Sequence, residues 1–155
     1  PQRGLPMYGM ALLTALRRHR GSTMRIEMDG HRIERRVTML NVTNGPCHGG
    51  GFWICPHARV DDGLLDLCLA EEMGRARLAL LALLVMRGRH VGRPGVSFTR
   101  VRHVSVHADP AQPAHVDGEI LSPALERLDV RVGAGALRVL ASECAVHRES
   151  RCQAL

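Results

Sequence analysis

Residues 24–39 alternate apolar and polar side chains about an Asp-Gly pair. Met24, Ile26 and Met28 interleave with Arg25, Glu27 and Asp29, and beyond Gly30 the residues Ile33, Arg35, Val37 and Met39 continue the alternation. A period of two puts one set of side chains on a covered face and the other in water, the signature of a half-buried strand. Asp29-Gly30 supplies the two-residue turn that joins two such strands. The segment therefore predicts a β-hairpin, and with it an antiparallel sheet that needs a partner layer over its apolar face.

The remaining elements follow from the same reasoning. Leu64 to Leu69 reads as a buried strand, Arg75 to Arg87 as a helix apolar nearly all round, and Phe98 to Val106 as another alternating strand. Short strands are expected at His115 to Val116, Arg127 to Val132 and Leu137 to Leu140. Near the start, Leu5, Tyr8, Leu12, Leu13 and Leu16 recur at helical spacing, and the basic cluster Arg17-Arg18-His19-Arg20 closes that helix before Gly21. This helix starts without a cap, which predicts that the sequence begins part-way through a longer protein. The fold class expected is α+β and β-rich: a two-sheet antiparallel β-sandwich with one main packed helix plus an N-terminal helix. Residues 1–21 form the leading helix, 22–140 the β-sandwich domain, and 141–155 a polar tail expected to be disordered.

At 155 residues the chain is the usual size of one domain. Its longest purely apolar run, Leu78 to Met86, is far short of the roughly 20 residues of a membrane span. No signal-like segment opens it, so a cytoplasmic protein is expected. All 21 basic residues are arginine and no lysine occurs, which removes the Walker A lysine and Schiff-base catalysis from this chain. The formal charge of +6 suits nucleic acid or an anionic membrane surface. An aromatic content of only 3% leaves few rings for bases to stack on, and argues against nucleic acid. Five cysteines at irregular spacing read as reduced thiols rather than a disulfide framework. Cys47-His48 and Cys55-Pro56-His57 lack zinc-finger spacing and read as ordinary loop and core residues.

Two acidic groups lie in turn contexts. Asp61-Asp62-Gly63 precedes the strand at Leu64; it can offer carboxylate and carbonyl oxygens to a hard cation, or be a turn in which the aspartate bonds its own backbone. Asp117-Gly118-Glu119 follows His115-Val116. If the strand persists, Asp117 and Glu119 share a face, with glycine leaving room for a substrate, and such a pair can bind a metal and take a proton. A hairpin turn is the other explanation.

The order of segments carries a resemblance. Asn44-Gly45, Gly49-Gly50-Gly51, the run from Pro56 through Asp61-Asp62-Gly63-Leu64-Leu65-Asp66-Leu67, an apolar helix ending in Arg87-Gly88-Arg89-His90, Val116-Asp117-Gly118-Glu119 and Ala136 to Leu140 follow one another over residues 22–140. Together they resemble the C-terminal domain of bacterial diacylglycerol kinases and YegS-like lipid kinases. The resemblance implies a β-sandwich related to that of NAD kinases, paired in the intact enzyme with an N-terminal domain whose glycine-rich loop binds ATP and is missing here. It also implies a magnesium ion held by the Asp62 carboxylate and the main chains of Arg59 and Leu64. Glu119 becomes the proton acceptor, with Asp117 sharing the task. The function implied is the acceptor-binding half of an ATP-dependent lipid kinase at an anionic membrane surface, with no catalysis by the chain alone. A non-catalytic lipid- or protein-binding module is the alternative.

Overall fold

The computed structural model describes residues 21–48 and 51–140. The expected N-terminal helix, Gly49-Gly50 and the tail 141–155 lie outside the described residues. The described residues form six strands, β1 (Ser22–Met28), β2 (His31–Thr43), β3 (Leu65–Glu71), β4 (Val96–Val101), β5 (His103–Val116) and β6 (Glu119–Arg131), and one helix, α1 (Arg75–Val85). The strands make a single antiparallel sheet in the order β4-β3-β2-β1-β5-β6.

One continuous sheet stands where two packed sheets are expected, and β2 is the reason. Its first half pairs with β1, from Met28↔His31 to Ser22↔Val37, whereas its second half pairs with β3 on the other edge, from Val37↔Glu71 to Thr43↔Asp66. The register shifts between Val37 and Met39. An irregularity of this kind lets a strand turn a corner and pass from one layer to another without breaking the ladder. The β4–β5 connection requires such a bend. Only Arg102 separates the two strands, yet in a flat sheet they would lie four strand spacings, about 19 Å, apart. Consistent with this, one buried cluster draws on all the strands from β1 to β5, including Ile26, Val37, Leu67, Val101 and Val104.

The β1–β2 turn secures that corner. Asp29 and Gly30 both take positive φ (46° and 88°), as a two-residue hairpin turn of this hand requires. The Asp29 carboxylate accepts the Arg102 amide at 3.0 Å and the His103 amide at 2.9 Å. Phe98–Val106, expected as one strand, is therefore two: the backbone breaks at Arg102, where its amide bonds a side chain instead of a ladder partner.

Among the described strands β3 alone is covered on both faces, with Leu65 through Ala70 all buried. Leu65, Leu67 and Leu69 enter the main cluster. Cys68 packs with Cys55 and Ala58, and Ala70 with Leu81 and Val85 of α1. The helix is shorter than expected, ending at Val85, where Gly88 at φ 64° closes it: the Arg89 amide returns to the Leu84 carbonyl and the Gly88 amide to that of Val85. Leu137–Leu140 is not a strand; it has no ladder partner, and Leu137, Val139 and Leu140 are exposed.

β5 and β6 are far longer than the short strands expected. Pro110, Pro113 and Pro123 lie inside them, which hides the strands from a propensity reading, and the ladder absorbs the first two through register shifts between His107 and Ala114. The Asp109-Pro110 peptide is cis. From Asp109 to Arg127 no residue is buried, so the pair projects as an arm of roughly 25 Å at the usual rise per residue.

Candidate functional site

The tip of this arm carries the triplet. Val116 pairs with Glu119, and Asp117 (φ 50°) and Gly118 (φ 91°) make the two-residue turn between them. The strand does not persist through the triplet, so the premise that alternation aligns Asp117 with Glu119 does not hold. Their closeness comes from the turn itself. Both carboxylates are exposed, and the apolar side chains beside them, Val116, Ile120 and Leu121, are exposed too. The arrangement offers acidic groups on a projecting, partly greasy hairpin, reachable by any surface that closes on it.

The second acidic group is built into the chain before β3. An Asp62 carboxylate oxygen accepts the Leu64 amide at 3.0 Å, the self-bonded turn that Asp-Gly sequences favour. Gly63 takes φ 69°, which favours glycine, and a Cβ there would stand a tight 3.3 Å from that of Ala134. Asp61 pairs with Arg59 at 3.2 Å, and that guanidinium holds its carboxyl below the usual range. Asp62 and Leu64 thus belong to one turn, and Arg59 lies just before it in the chain.

Asp66, to which the sequence reading assigns no role, adds to this neighbourhood. It is 6% exposed, and its Oδ2 is buried without a hydrogen-bond partner among the described residues. Burial pushes its carboxyl up, the Asp62 charge adds to that push, and Arg100, 3.5 Å from Oδ1, opposes it. Two neighbouring carboxylates, one with an orphaned oxygen, form a donor set that suits a hard cation keeping several of its waters. The sequence signal was position: Asp66 falls between Leu65 and Leu67 in a strand that reads as continuously buried.

The cysteine–histidine pairs do not converge. Cys47 is exposed whereas Cys55 is buried against Cys68, which together with burial holds the Cys55 thiol above its ordinary range. Among the described residues no group of three or more His, Cys, Asp or Glu side chains is arranged to hold a metal. A cation at Asp62 would thus rely on main-chain oxygens and water as well. His90, 1% exposed, is a core residue: Nε2 donates to the Ile54 carbonyl at 2.8 Å and the ring lies 5.5 Å from that of Phe98.

Known proteins resemble this chain in sequence and in fold. A diacylglycerol kinase of Mycobacterium tuberculosis is 35% identical over 121 residues, covering 77% of this chain and 39% of that protein. A probable YegS-like lipid kinase of Pseudomonas aeruginosa is 36% identical over 106 residues, 68% of this chain and 34% of its own length. This chain thus spans well under half the length of these relatives. Among solved structures, a diacylglycerol kinase of Bacillus anthracis superposes with a TM-score of 0.58 at 20% identity, over 80% of this chain and 42% of that one, which establishes likeness of fold. No helix among the described residues is long and apolar enough to cross a membrane. Residues 2–141 match the model of the YegS C-terminal NAD kinase beta sandwich-like domain, and the chain belongs to that family.

Proposed function

We propose that this chain is the acceptor-side half of an ATP-dependent lipid kinase, binding a lipid alcohol and presenting the base that takes its proton. The observation that carries the reading is the placement of Asp117-Gly118-Glu119 on a two-residue turn at the end of an arm with no buried residue. A hairpin that only stabilised this domain would gain nothing from projecting so far. One that completes a site with a second domain must do so. Glu119 accepts the hydroxyl proton as the lipid oxygen attacks the terminal phosphoryl group of ATP, and Asp117 beside it holds the hydroxyl or shares the proton. Phosphoryl transfer asks a protein chiefly for alignment and charge neutralisation, so the nucleotide-binding half supplies the phosphate cradle and this half the acceptor. The exposed apolar side chains flanking the triplet give the lipid body a surface to lie against.

The Asp62 carboxylate and the main chains of Arg59 and Leu64 are the proposed magnesium ligands, with Asp66 as a nearby negative charge. Magnesium bound there would fix the turn before β3. Calorimetry on the chain is expected to show magnesium binding that Asp62→Ala weakens at least about tenfold, the loss of one charged oxygen ligand. Equal binding by both would place the cation elsewhere.

The reading is tested with labelled ATP and vesicles containing a lipid alcohol such as diacylglycerol. The intact two-domain kinase is expected to transfer phosphate, and this chain alone to transfer none and to bind no ATP at micromolar concentration. Micromolar ATP binding by the chain would overturn the division of labour. An intact protein that phosphorylates none of diacylglycerol, a sphingoid base, an undecaprenol-like alcohol or phosphatidylglycerol would favour a non-catalytic lipid-binding module.

A further inference from the structure

The outward face of α1 is apolar where a surface helix is ordinarily polar. Leu81 and Val85 turn inward onto Ala70, yet Leu80, Leu83 and Met86 stand 55%, 59% and 53% exposed. Spaced three residues apart, they form one stripe along the helix. The stripe continues past the helix end, where the Trp53 amide donates to the Val85 carbonyl and Phe52, next to it, is 36% exposed.

Charge along the helix and the segment after it has one sign. Residues 73–108 contain seven arginines and no aspartate or glutamate. Arg87, Arg89 and Arg93, which follow the helix, are exposed and make no ion pair among the described residues. An apolar stripe bordered by uncompensated arginine complements a surface that is both apolar and anionic. A nucleic acid would satisfy the arginines and leave the leucines in water. A bilayer carrying anionic headgroups takes both, with the leucines entering the acyl boundary and the guanidinium groups remaining among the phosphates.

We propose that the outward face of α1, with the arginines that follow it, docks this protein onto anionic phospholipid membranes. The inference goes beyond the kinase role and stands whether or not Glu119 is a base, since it concerns a different face and no chemical step.

The test is sedimentation of the full 155-residue chain with vesicles of phosphatidylcholine, with and without phosphatidylglycerol. Binding is expected only where phosphatidylglycerol is present. The double variant L80S/L83S is expected to bind at least about tenfold more weakly, as befits two leucines that no longer leave water. The triple variant R87Q/R89Q/R93Q should lose about a hundredfold, from three basic residues near a charged surface. All five positions are exposed, so circular dichroism and melting temperature should match the parent in both variants. Failure of the parent to bind phosphatidylglycerol vesicles, or equal binding by parent and folded variants, overturns the proposal. So does a dimer in sedimentation velocity that L80S/L83S dissolves, which would assign the stripe to a second copy of the chain.

Discussion

Glu119→Gln in the intact two-domain kinase is expected to lower lipid phosphorylation at least about a hundredfold, the usual contribution of a positioned general base. Glutamine keeps the size and hydrogen-bonding reach of glutamate but cannot accept the hydroxyl proton. Glu119 is exposed at the start of β6, opposite Val116, and touches no core residue, so the substitution should leave the melting temperature nearly unchanged. Loss of turnover without loss of fold separates a chemical role from a structural one. Near-normal turnover would make Glu119 a turn residue and leave Asp117, one residue into the turn, as the better candidate. The measurement is steady-state transfer of labelled phosphate to vesicle-borne diacylglycerol, with thermal unfolding followed in parallel.

The largest effect on stability is expected inside the bend of the sheet. Leu67, 2% exposed, lies in the main cluster on the strand that is covered on both faces. Leu67→Ala removes buried methyl groups and leaves a cavity that the surroundings fill only in part, and is expected to destabilise the domain by about 2–5 kcal/mol. Ile120→Ala serves as the contrast: the residue is 80% exposed on the arm, and its loss should change stability by less than about 0.5 kcal/mol. Denaturant unfolding of the two variants measures both figures. Equal effects would mean that the arm is packed in solution against something the described residues do not include.

The two sites lie in segments of different legibility. The first hairpin announces itself, because Met24, Ile26 and Met28 alternate cleanly and Asp29-Gly30 can make only a narrow set of turns. β3 and α1 are nearly as plain, as both are largely apolar runs of the length their type demands, interrupted by Asp66 in the strand and opened by Arg75 and Arg77 in the helix. Asp62 is legible as a turn residue because its hydrogen bond to Leu64 is local. What the sequence hides is the outcome of contacts made at long range. Nothing near Arg102 signals a strand break, since the carboxylate that takes its amide comes from Asp29. The prolines of β5 and β6 conceal strands that hold because the partner strand shifts register around them. Asp66 reads as one acidic residue in a motif, and its buried, unpaired oxygen emerges only when β4 brings Arg100 alongside.

The pairing of β1 with β5, from Thr23↔Asp109 to Met28↔Val104, has a consequence for how the chain reaches this structure. Those partners are separated by most of the domain, whereas β1 and β2 meet across two residues. The first hairpin can form within microseconds, but the free edge of β1 stays unpaired until β5 arrives, and Ile26 lacks Val104 and Val106 as neighbours until then. Pairing of such high sequence separation slows folding, and an open strand edge is where chains join one another by mistake. During synthesis the ribosome must deliver residues to about position 110 before that edge can close. A chain stopped earlier, or released slowly, would present a ready template for aggregation. The hazard lies in the order in which the strands emerge, since the finished sheet covers that edge.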